Sequence, residues 1–366
     1  MRRWRVSGLF GVFALAALAP APGWTADAGG SCSIAFGAYV DGVPASLDPL
    51  TQLEGRVGQQ AAIVHWSQGW QPDANPTLDE QQLRAVRDHG AWPFISWPPE
   101  AVPLADIIAG GWDEYIDRWA TTLADYGDPV LLAPMPGLDD ARHSYAWNGA
   151  GNRAEDLVAA WRYLHERFTN AGANNVLWVF DVAGQPGAPL VRLYAGDPQV
   201  DWLAMEAYNG GSAMNRPWTP LADLVSPAYE QLLALSHDKP LMLSEFGSVE
   251  AGGDKPQWLR EAGRDLPGRF PQIKAVVAFN SIDPGRPAAD WRLETSPESL
   301  AAAHDAFGPG TAYCLTAGEL TGDGLGGLSG PGGPLHRTLS LAIPLLALTL
   351  LFVLAVGASK LPRPHL

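Results

Sequence analysis

Short, continuous apolar runs recur along the chain between residues 34 and 280, with helical patterns between them. The runs are bounded by turn residues, and they lack the strict polar–apolar alternation of a half-exposed strand. Unbroken apolar character is typical of parallel strands that are buried on both faces. The pattern therefore predicts eight strands, at 34–40, 61–66, 91–97, 129–135, 175–181, 200–208, 239–245 and 274–280.

The segments between these runs carry helix signals. Thr77 and Glu80 have the spacing of a capping box, and Ser296-Pro297 has the pattern of an N-cap followed by proline. Between residues 112 and 123 the large apolar side chains repeat at helical spacing. Eight alternations of strand and helix predict an α/β fold, a (β/α)8 TIM barrel over residues 29–315, rather than an open sheet.

The first 28 residues have the organisation of a signal peptide. Three arginines precede an apolar run at 9–19, and a small-x-small cleavage pattern lies at 26–28. We therefore expect an exported protein.

The C-terminal region predicts a membrane anchor. Residues 316–335 contain eight Gly and two Pro, which is typical of a flexible linker. Residues 338–359 carry no charge and are long enough for a transmembrane helix. The basic residues in 360–366 favour a short cytoplasmic tail. In that orientation the helix would anchor the barrel at the cell surface or the periplasmic face of the membrane. A cleaved sorting signal has the same pattern and stays open as an alternative.

Composition narrows the class of partner. The formal net charge is −15, and without clustered Lys and Arg we expect no nucleic-acid partner. Fifteen Trp and nine Tyr provide flat rings that suit the apolar faces of sugars, although many such rings serve as core residues. The sequence contains no HxH or HExxH pair and no cofactor-binding loop, so we predict neither a metal site nor a cofactor.

The two cysteines, Cys32 and Cys314, lie just before the first predicted strand and just after the last predicted helix. In an exported chain such a pair predicts a disulfide, which here would join the two ends of the barrel. Two free thiols remain an alternative. A lipid anchor on Cys32 is disfavoured because no Leu-x-x-Cys pattern precedes it.

Active sites of (β/α)8 barrels lie at the carboxyl ends of the strands. In this chain those ends carry carboxylates and aromatic rings. A ring of such groups suits glycoside hydrolysis, which needs a nucleophile or base, a proton donor and surfaces for the sugar. The strand-end residues are Tyr39, Asp41, His65, Trp66, Trp97, Glu100, Asp139, Asp140, Asp181, Glu206, Tyr208, Asn209, Glu245 and Asn280.

The segment that runs from Lys239 through Glu245 to Ser248 resembles the strand-7 nucleophile motif of glycoside hydrolase family 26, the β-mannanase family. Further similar segments lie at 94–98, 145–147, 201–209, 277–280 and 290–292, so the resemblance extends over about residues 36–307. It implies a retaining mechanism on a mannan-like β-linked polysaccharide, with Glu245 as nucleophile. It also implies a set of substrate-binding residues, for which our candidates are Trp66, Trp97, Trp147, Glu206, Tyr208 and Trp291.

The strand-4 motif departs from the family pattern. The family has Arg-Pro-Met-His-Glu-Met-Asn there, and this chain reads Ala-Pro-Met-Pro-Gly-Leu-Asp from Ala133 to Asp139. Gly137 thus occupies the position of the acid/base glutamate. Asp139, Asp140 and His143, just beyond Gly137, are the first candidates for a substitute acid, and Asp181 and Glu206 follow them. Glu206 itself stands where the family usually has Asp.

Two functions from different classes follow from these observations. The first is a family 26-like hydrolase with a relocated proton donor, which the retained Glu245 favours. The second is a catalytically silent barrel that binds polysaccharide, which Gly137 favours.

Overall fold

The computed structural model describes residues 32–70, 78–283 and 285–320. Eight parallel strands form a closed barrel in the order of the sequence, with β1 paired to both β2 and β8. This confirms the predicted (β/α)8 architecture. The strands are β1 Ala35–Val40, β2 Ile63–Ser67, β3 Trp92–Ser96, β4 Val130–Ala133, β5 Val176–Val182, β6 Trp202–Asn209, β7 Leu241–Ser248 and β8 Ile273–Asn280.

The helices pack around the outside of the barrel. They are α1 Asp48–Val57, α2 Glu80–Asp88, α3 Leu104–Ile108, α4 Asp113–Tyr126, α5 Ala154–Asn170, α6 Leu190–Leu193, α7 Leu221–Leu235, α8 Lys255–Arg269 and α9 Pro297–Phe307. Ser296 caps α9 as predicted, since its side chain accepts a hydrogen bond from the Ser299 amide. At α2 the cap is Asp79, two residues after the predicted Thr77, which lies outside the described residues.

The strands are buried on both faces, which explains their unbroken apolar runs. Every residue of β3 and β4 is buried, and one large core fills the space between the barrel and the helices. Strands β1 and β2 approach so closely that a Cβ on Gly37 would lie 2.9 Å from Cβ of Ile63. Glycine is therefore needed at that position for the barrel to close.

The two ends of the barrel domain meet beneath it, at the end opposite the carboxyl ends of the strands. Cys32 and Cys314 form a disulfide with a Cα–Cα distance of 5.1 Å, which confirms the predicted pair. The Leu315 amide also donates a hydrogen bond to the Ile34 carbonyl. Leu320 is only 2% exposed and packs into the core at this end, so the folded domain reaches at least five residues past the predicted boundary at 315.

The predicted signal peptide at 1–28 and the predicted transmembrane helix at 338–359 lie outside the described residues. So do most of the predicted linker at 316–335 and all of the tail at 360–366. No helix in the described part of the chain is both long enough and apolar enough to cross a membrane. Export and membrane anchoring therefore remain predictions.

Candidate active site

A β-bulge between β6 and β7 places two carboxyl groups side by side at the mouth of the barrel. Met205 pairs with Leu243, but the next residue, Glu206, pairs with Glu245, so Ser244 is an extra residue on β7. Bulges of this kind redirect side chains and are common beside active sites. Paired positions on neighbouring strands lie about 4.8 Å apart, so the two glutamates start from adjacent points of the mouth.

Glu245 is half-buried, and the tyrosine at 208 holds it in place. The Tyr208 hydroxyl donates a hydrogen bond of 2.5 Å to Oε2 of Glu245. Burial raises the pKa of Glu245 to about 7, although this hydrogen bond acts to lower it. Burial and the charge of Glu245 raise the pKa of Tyr208 well above its ordinary value, so the phenol keeps its proton and remains the donor.

The carboxyl group of Glu206 extends toward the strand-4 loop. A Cβ on Gly137 would lie 2.9 Å from Glu206 Oε1 and 3.4 Å from His143 Nε2. Within the described residues Glu206 makes no hydrogen bond and no ion pair. Burial, together with the negative charges of Glu245 and Asp181, raises its pKa well above the ordinary value.

The other carboxyl groups near the mouth are committed to structural contacts. Asp181 is fully buried and accepts a hydrogen bond of 2.6 Å from Ser244, and burial raises its pKa to about 8. Asp139 is 3% exposed and accepts hydrogen bonds from the amides of Ala183 (2.6 Å) and Gln185 (2.7 Å). It thereby joins the loop after β4 to the loop after β5.

Asp140 is also buried, and it forms an ion pair with Arg142. Burial alone would raise the pKa of Asp140, but the hydrogen bonds and the charge of Arg142 lower it, so the carboxyl group is ionised at neutral pH. These contacts make Asp139 and Asp140 weaker candidates for the missing acid than their place in the sequence indicated. Asp139 is held by two backbone amides, and Asp140 is ionised and paired with the guanidinium of Arg142.

Two of the tryptophans predicted to bind substrate, as flat platforms for the sugar, belong instead to the core. Trp97 is 0% exposed, with its ring centroid 4.6 Å from those of Trp70 and Trp119. Trp66 is also buried in the core between the barrel and the helices. This corrects the expectation that these two rings face the sugar. Trp147 in the strand-4 loop remains partly exposed and packs on the edge of the same core.

The predicted platform Trp291 is 4% exposed and lies against Tyr208, with ring centroids 4.7 Å apart. Its main contact is therefore with the tyrosine that holds Glu245. Two partly exposed rings continue this wall: Tyr39 stacks on Phe279 at 4.6 Å, and Phe279 packs edge-on against Tyr208. Sequence reasoning placed Tyr39 at a strand end and Phe279 in a matched segment but gave neither a role. The feature of the sequence that could have identified them is their position next to the carboxyl ends of β1 and β8.

Within the described residues no group of three His, Cys, Asp or Glu side chains could hold a metal ion. The single buried histidine at the mouth, His65, lies 2.9 Å from the Ser96 hydroxyl, and burial lowers its pKa to about 3. It is therefore a neutral ring at physiological pH.

The fold and the paired carboxyls define the class of the protein, a glycoside-hydrolase-like (β/α)8 barrel. Its structure is similar to the catalytic domain of the family 26 endo-β-1,4-mannanase of Bacillus sp. JAMB-750. The TM-score is 0.61 at 16% identity, over 80% of this chain and 90% of that one. It is also similar to the family 26 β-mannanase of Bacteroides ovatus, with a TM-score of 0.53 at 16% identity over 78% and 91% of the two chains.

A third similar structure is a β-mannanase from a symbiotic protist of the termite Reticulitermes speratus, complexed with gluco-manno-oligosaccharide. Its TM-score is 0.54 at 17% identity, over 78% of this chain and 89% of that one. By sequence, the chain is 31% identical over 287 residues to Endoglucanase H of Acetivibrio thermocellus. That match covers 75% of this chain and 30% of the relative. No protein-family model matches the chain. The barrel is thus glycoside hydrolase family 26-like, as the resemblance predicted.

Proposed function

We propose that this protein is a retaining glycoside hydrolase that acts on a β-linked glucan or mannan, with Glu245 as its nucleophile. The observation that carries the proposal is the half-buried Glu245, held by the Tyr208 hydroxyl at 2.5 Å and paired across the bulge with a second carboxyl group. Similarity to a protein named as an endoglucanase and to structures named as mannanases supports the substrate class.

In this mechanism the ionised Glu245 attacks the anomeric carbon as the glycosidic bond breaks, and the leaving oxygen takes a proton from an acid. The product is a glycosyl ester on Glu245, which water then hydrolyses with the help of the same acid in its basic form. Tyr208 donates to Oε2 and so fixes the direction of the other oxygen, Oε1. A nucleophile with a pKa of about 7 is ionised in slightly alkaline solution.

The second candidate function is a silent polysaccharide-binding barrel. Gly137 favours it, because the family's proton donor is missing from that position. The two candidates differ in one property that can be measured: only an enzyme forms a covalent bond between Glu245 and a sugar.

The disulfide between Cys32 and Cys314 supports our proposal that the barrel works outside the cytoplasm, because reducing compartments keep such pairs open. Anchoring to the membrane through 338–359 is part of the same proposal and rests on the sequence alone.

The test is covalent trapping on the full-length chain. Dinitrophenyl 2-deoxy-2-fluoro glycosides, with β-cellobiosyl and β-mannobiosyl groups, have a leaving group that departs without a proton and form long-lived esters with nucleophilic carboxylates. We expect one sugar to add per chain, and peptide mapping to locate it on Glu245. The Glu245→Gln variant is the control and should take no label. Binding of oligosaccharides with no label from either sugar would instead establish the silent barrel.

A further inference from the structure

A carboxyl oxygen from another strand lies beside the backbone position of the family's proton donor, where this chain has glycine. Gly137 has φ +59°, a backbone conformation that disfavours side chains, and a Cβ there would lie 2.9 Å from Oε1 of Glu206. The oxygen that reaches this place comes from β6, the strand next to the one that carries Glu245. A carboxyl group from strand 6 thus lies next to the point from which the family's acid extends on strand 4.

The two departures from the family pattern compensate each other. By the resemblance, the family has Glu at the position of Gly137 and usually Asp at the position of Glu206. This chain has lost the whole side chain at the first position and gained one methylene at the second. The longer side chain needs the space, because any Cβ at 137 would contact its carboxyl oxygen.

The carboxyl group of Glu206 has no hydrogen-bond partner within the described part of the chain. Asp181 is bound by Ser244, Asp139 by two backbone amides, and Asp140 by Arg142. Glu206 makes none of these contacts within the described residues, and it is only half-buried. A carboxyl that serves structure is normally hydrogen-bonded when it leaves water, whereas one that must give and take a proton has to stay accessible.

From this placement we infer that Glu206 is the proton donor of the reaction proposed for Glu245, transferred from strand 4 to strand 6. The inference rests on the proposed function. In the first step the acid form of Glu206 gives its proton to the glycosidic oxygen, while Glu245 bonds to the anomeric carbon and the alcohol leaves. In the second step the Glu206 carboxylate takes a proton from water as that water bonds to the anomeric carbon and releases Glu245.

The electrostatics of the site agree with these roles. Two neighbouring carboxyl groups whose charges repel each other do not both ionise readily, and the charge of Glu245 acts on Glu206 in this way. Burial and the charge of Glu245 raise the pKa of Glu206 well above the ordinary value, whereas the hydrogen bond from Tyr208 acts to lower the pKa of Glu245. This difference favours Glu245 as the ionised nucleophile and Glu206 as the protonated acid. Arg142 acts in the opposite direction on Glu206 and keeps its pKa from rising further.

The test compares the Glu206→Gln and Glu206→Ala variants with the unchanged full-length chain on two kinds of substrate. On β-glucan and β-mannan, kcat/KM should fall by about 10²–10⁴-fold, because the leaving sugar oxygen then lacks its proton. On a dinitrophenyl glycoside kcat/KM should change little, since that leaving group needs no acid. Hydrolysis of the ester should become rate-limiting there, so kcat and KM should fall together after a burst of dinitrophenolate.

Rescue by azide provides a second measurement. If Glu206 had only a structural role, azide would not restore the activity of the variant. Added to Glu206→Ala, azide can enter the space of the lost carboxyl and attack the ester without a general base, so kcat should recover and the β-glycosyl azide should form. Asp140→Asn is the matched control: it removes a neighbouring carboxylate that is bound to Arg142, and azide should produce no glycosyl azide.

The outcomes separate this inference from the proposal on which it rests. If Glu245 is labelled but Glu206→Gln degrades polymer at the unchanged rate, the inference is wrong and the hydrolase proposal stands. If Glu245 in the unchanged chain takes no label, the hydrolase proposal itself fails. Unfolding temperatures of both Glu206 variants establish that the fold is intact, and recovery by azide would itself require a folded site.

Discussion

The hydrogen bond from Tyr208 to Glu245 allows a sharp test of how the nucleophile is tuned. The perturbation is Tyr208→Phe, which removes the hydroxyl and leaves the ring against Trp291 and Phe279. Because the hydroxyl stabilises the ionised carboxylate, its loss should raise the pKa of Glu245. The acidic limb of activity should therefore move to higher pH.

The size of the shift follows from the energy of one hydrogen bond. A bond to a charged group contributes about 1.5–3 kcal/mol, and a shift of one pKa unit corresponds to about 1.4 kcal/mol. The pKa of Glu245 is about 7 in the unchanged chain. In the variant we expect a value higher by about one to two units. At pH 7 the ionised fraction would then fall from about half to about a tenth or less.

The assay is kcat/KM for a dinitrophenyl glycoside between about pH 5 and about pH 10. This leaving group needs no proton donor, so the profile reports the ionisation of Glu245 without that of the acid. Activity in the unchanged chain should rise with pH through about 7 as Glu245 ionises.

Tyr194→Phe is the matched control for this variant. The Tyr194 hydroxyl donates a 2.6 Å hydrogen bond to Asp197, before β6 and at the end of the barrel opposite the mouth. Its loss should leave the profile unchanged. An unmoved acidic limb in a folded Tyr208→Phe chain would refute our account of how the nucleophile is tuned.

Three further predictions concern the disulfide, the core tryptophan Trp97 and the partly exposed ring of Phe279. Replacing Cys32 and Cys314 by Ser should lower the free energy of unfolding by about 3–5 kcal/mol, because the disulfide closes a sequence separation of 282 residues; a urea midpoint equal to that of the oxidised chain would contradict this. Trp97→Ala should lower the same free energy by about 3–5 kcal/mol without direct loss of a sugar contact. Phe279→Ala should instead weaken oligosaccharide binding, by about two- to tenfold, with a smaller effect on unfolding. Calorimetry measures the unfolding of both variants, and titration measures their oligosaccharide binding. A larger loss of binding in Trp97→Ala than in Phe279→Ala would show that Trp97 contacts the sugar.

The barrel could be predicted from the sequence because strands that are buried on both faces appear as short, unbroken apolar runs. All eight predicted strands occur within three residues of their observed ends. The differences have local causes. Strand β4 ends at Ala133, two residues early, because Pro134 has no amide hydrogen for the ladder. Strand β7 runs on to Ser248, beyond the glutamate at which the prediction ended.

The direction of each aromatic ring was harder to predict than its position along a strand. His65 lies in the barrel interior, stacked on Phe94, and Trp66 next to it points outward to the helices, as the alternation of a strand requires. Applying that alternation to β2 would have removed Trp66 from the list of platforms. For Trp97, which follows the last residue of β3, alternation no longer applies, and only the structure shows that it lies beneath Trp70.

The sequence listed Glu206 among the candidate acids but could not place it first, because the evidence that favours it is a relation between two distant positions. Gly137 by itself indicates a lost function, and Glu206 by itself indicates a conservative change. Within the fold they are neighbours, since strands 4 and 6 both end at the same mouth and the Glu206 carboxyl reaches to Gly137. The side chain of Glu206 then occupies the space that the absence of a side chain at Gly137 leaves open. A motif on a barrel can thus lose its residue while the site keeps its group, because several strands reach the same point in space.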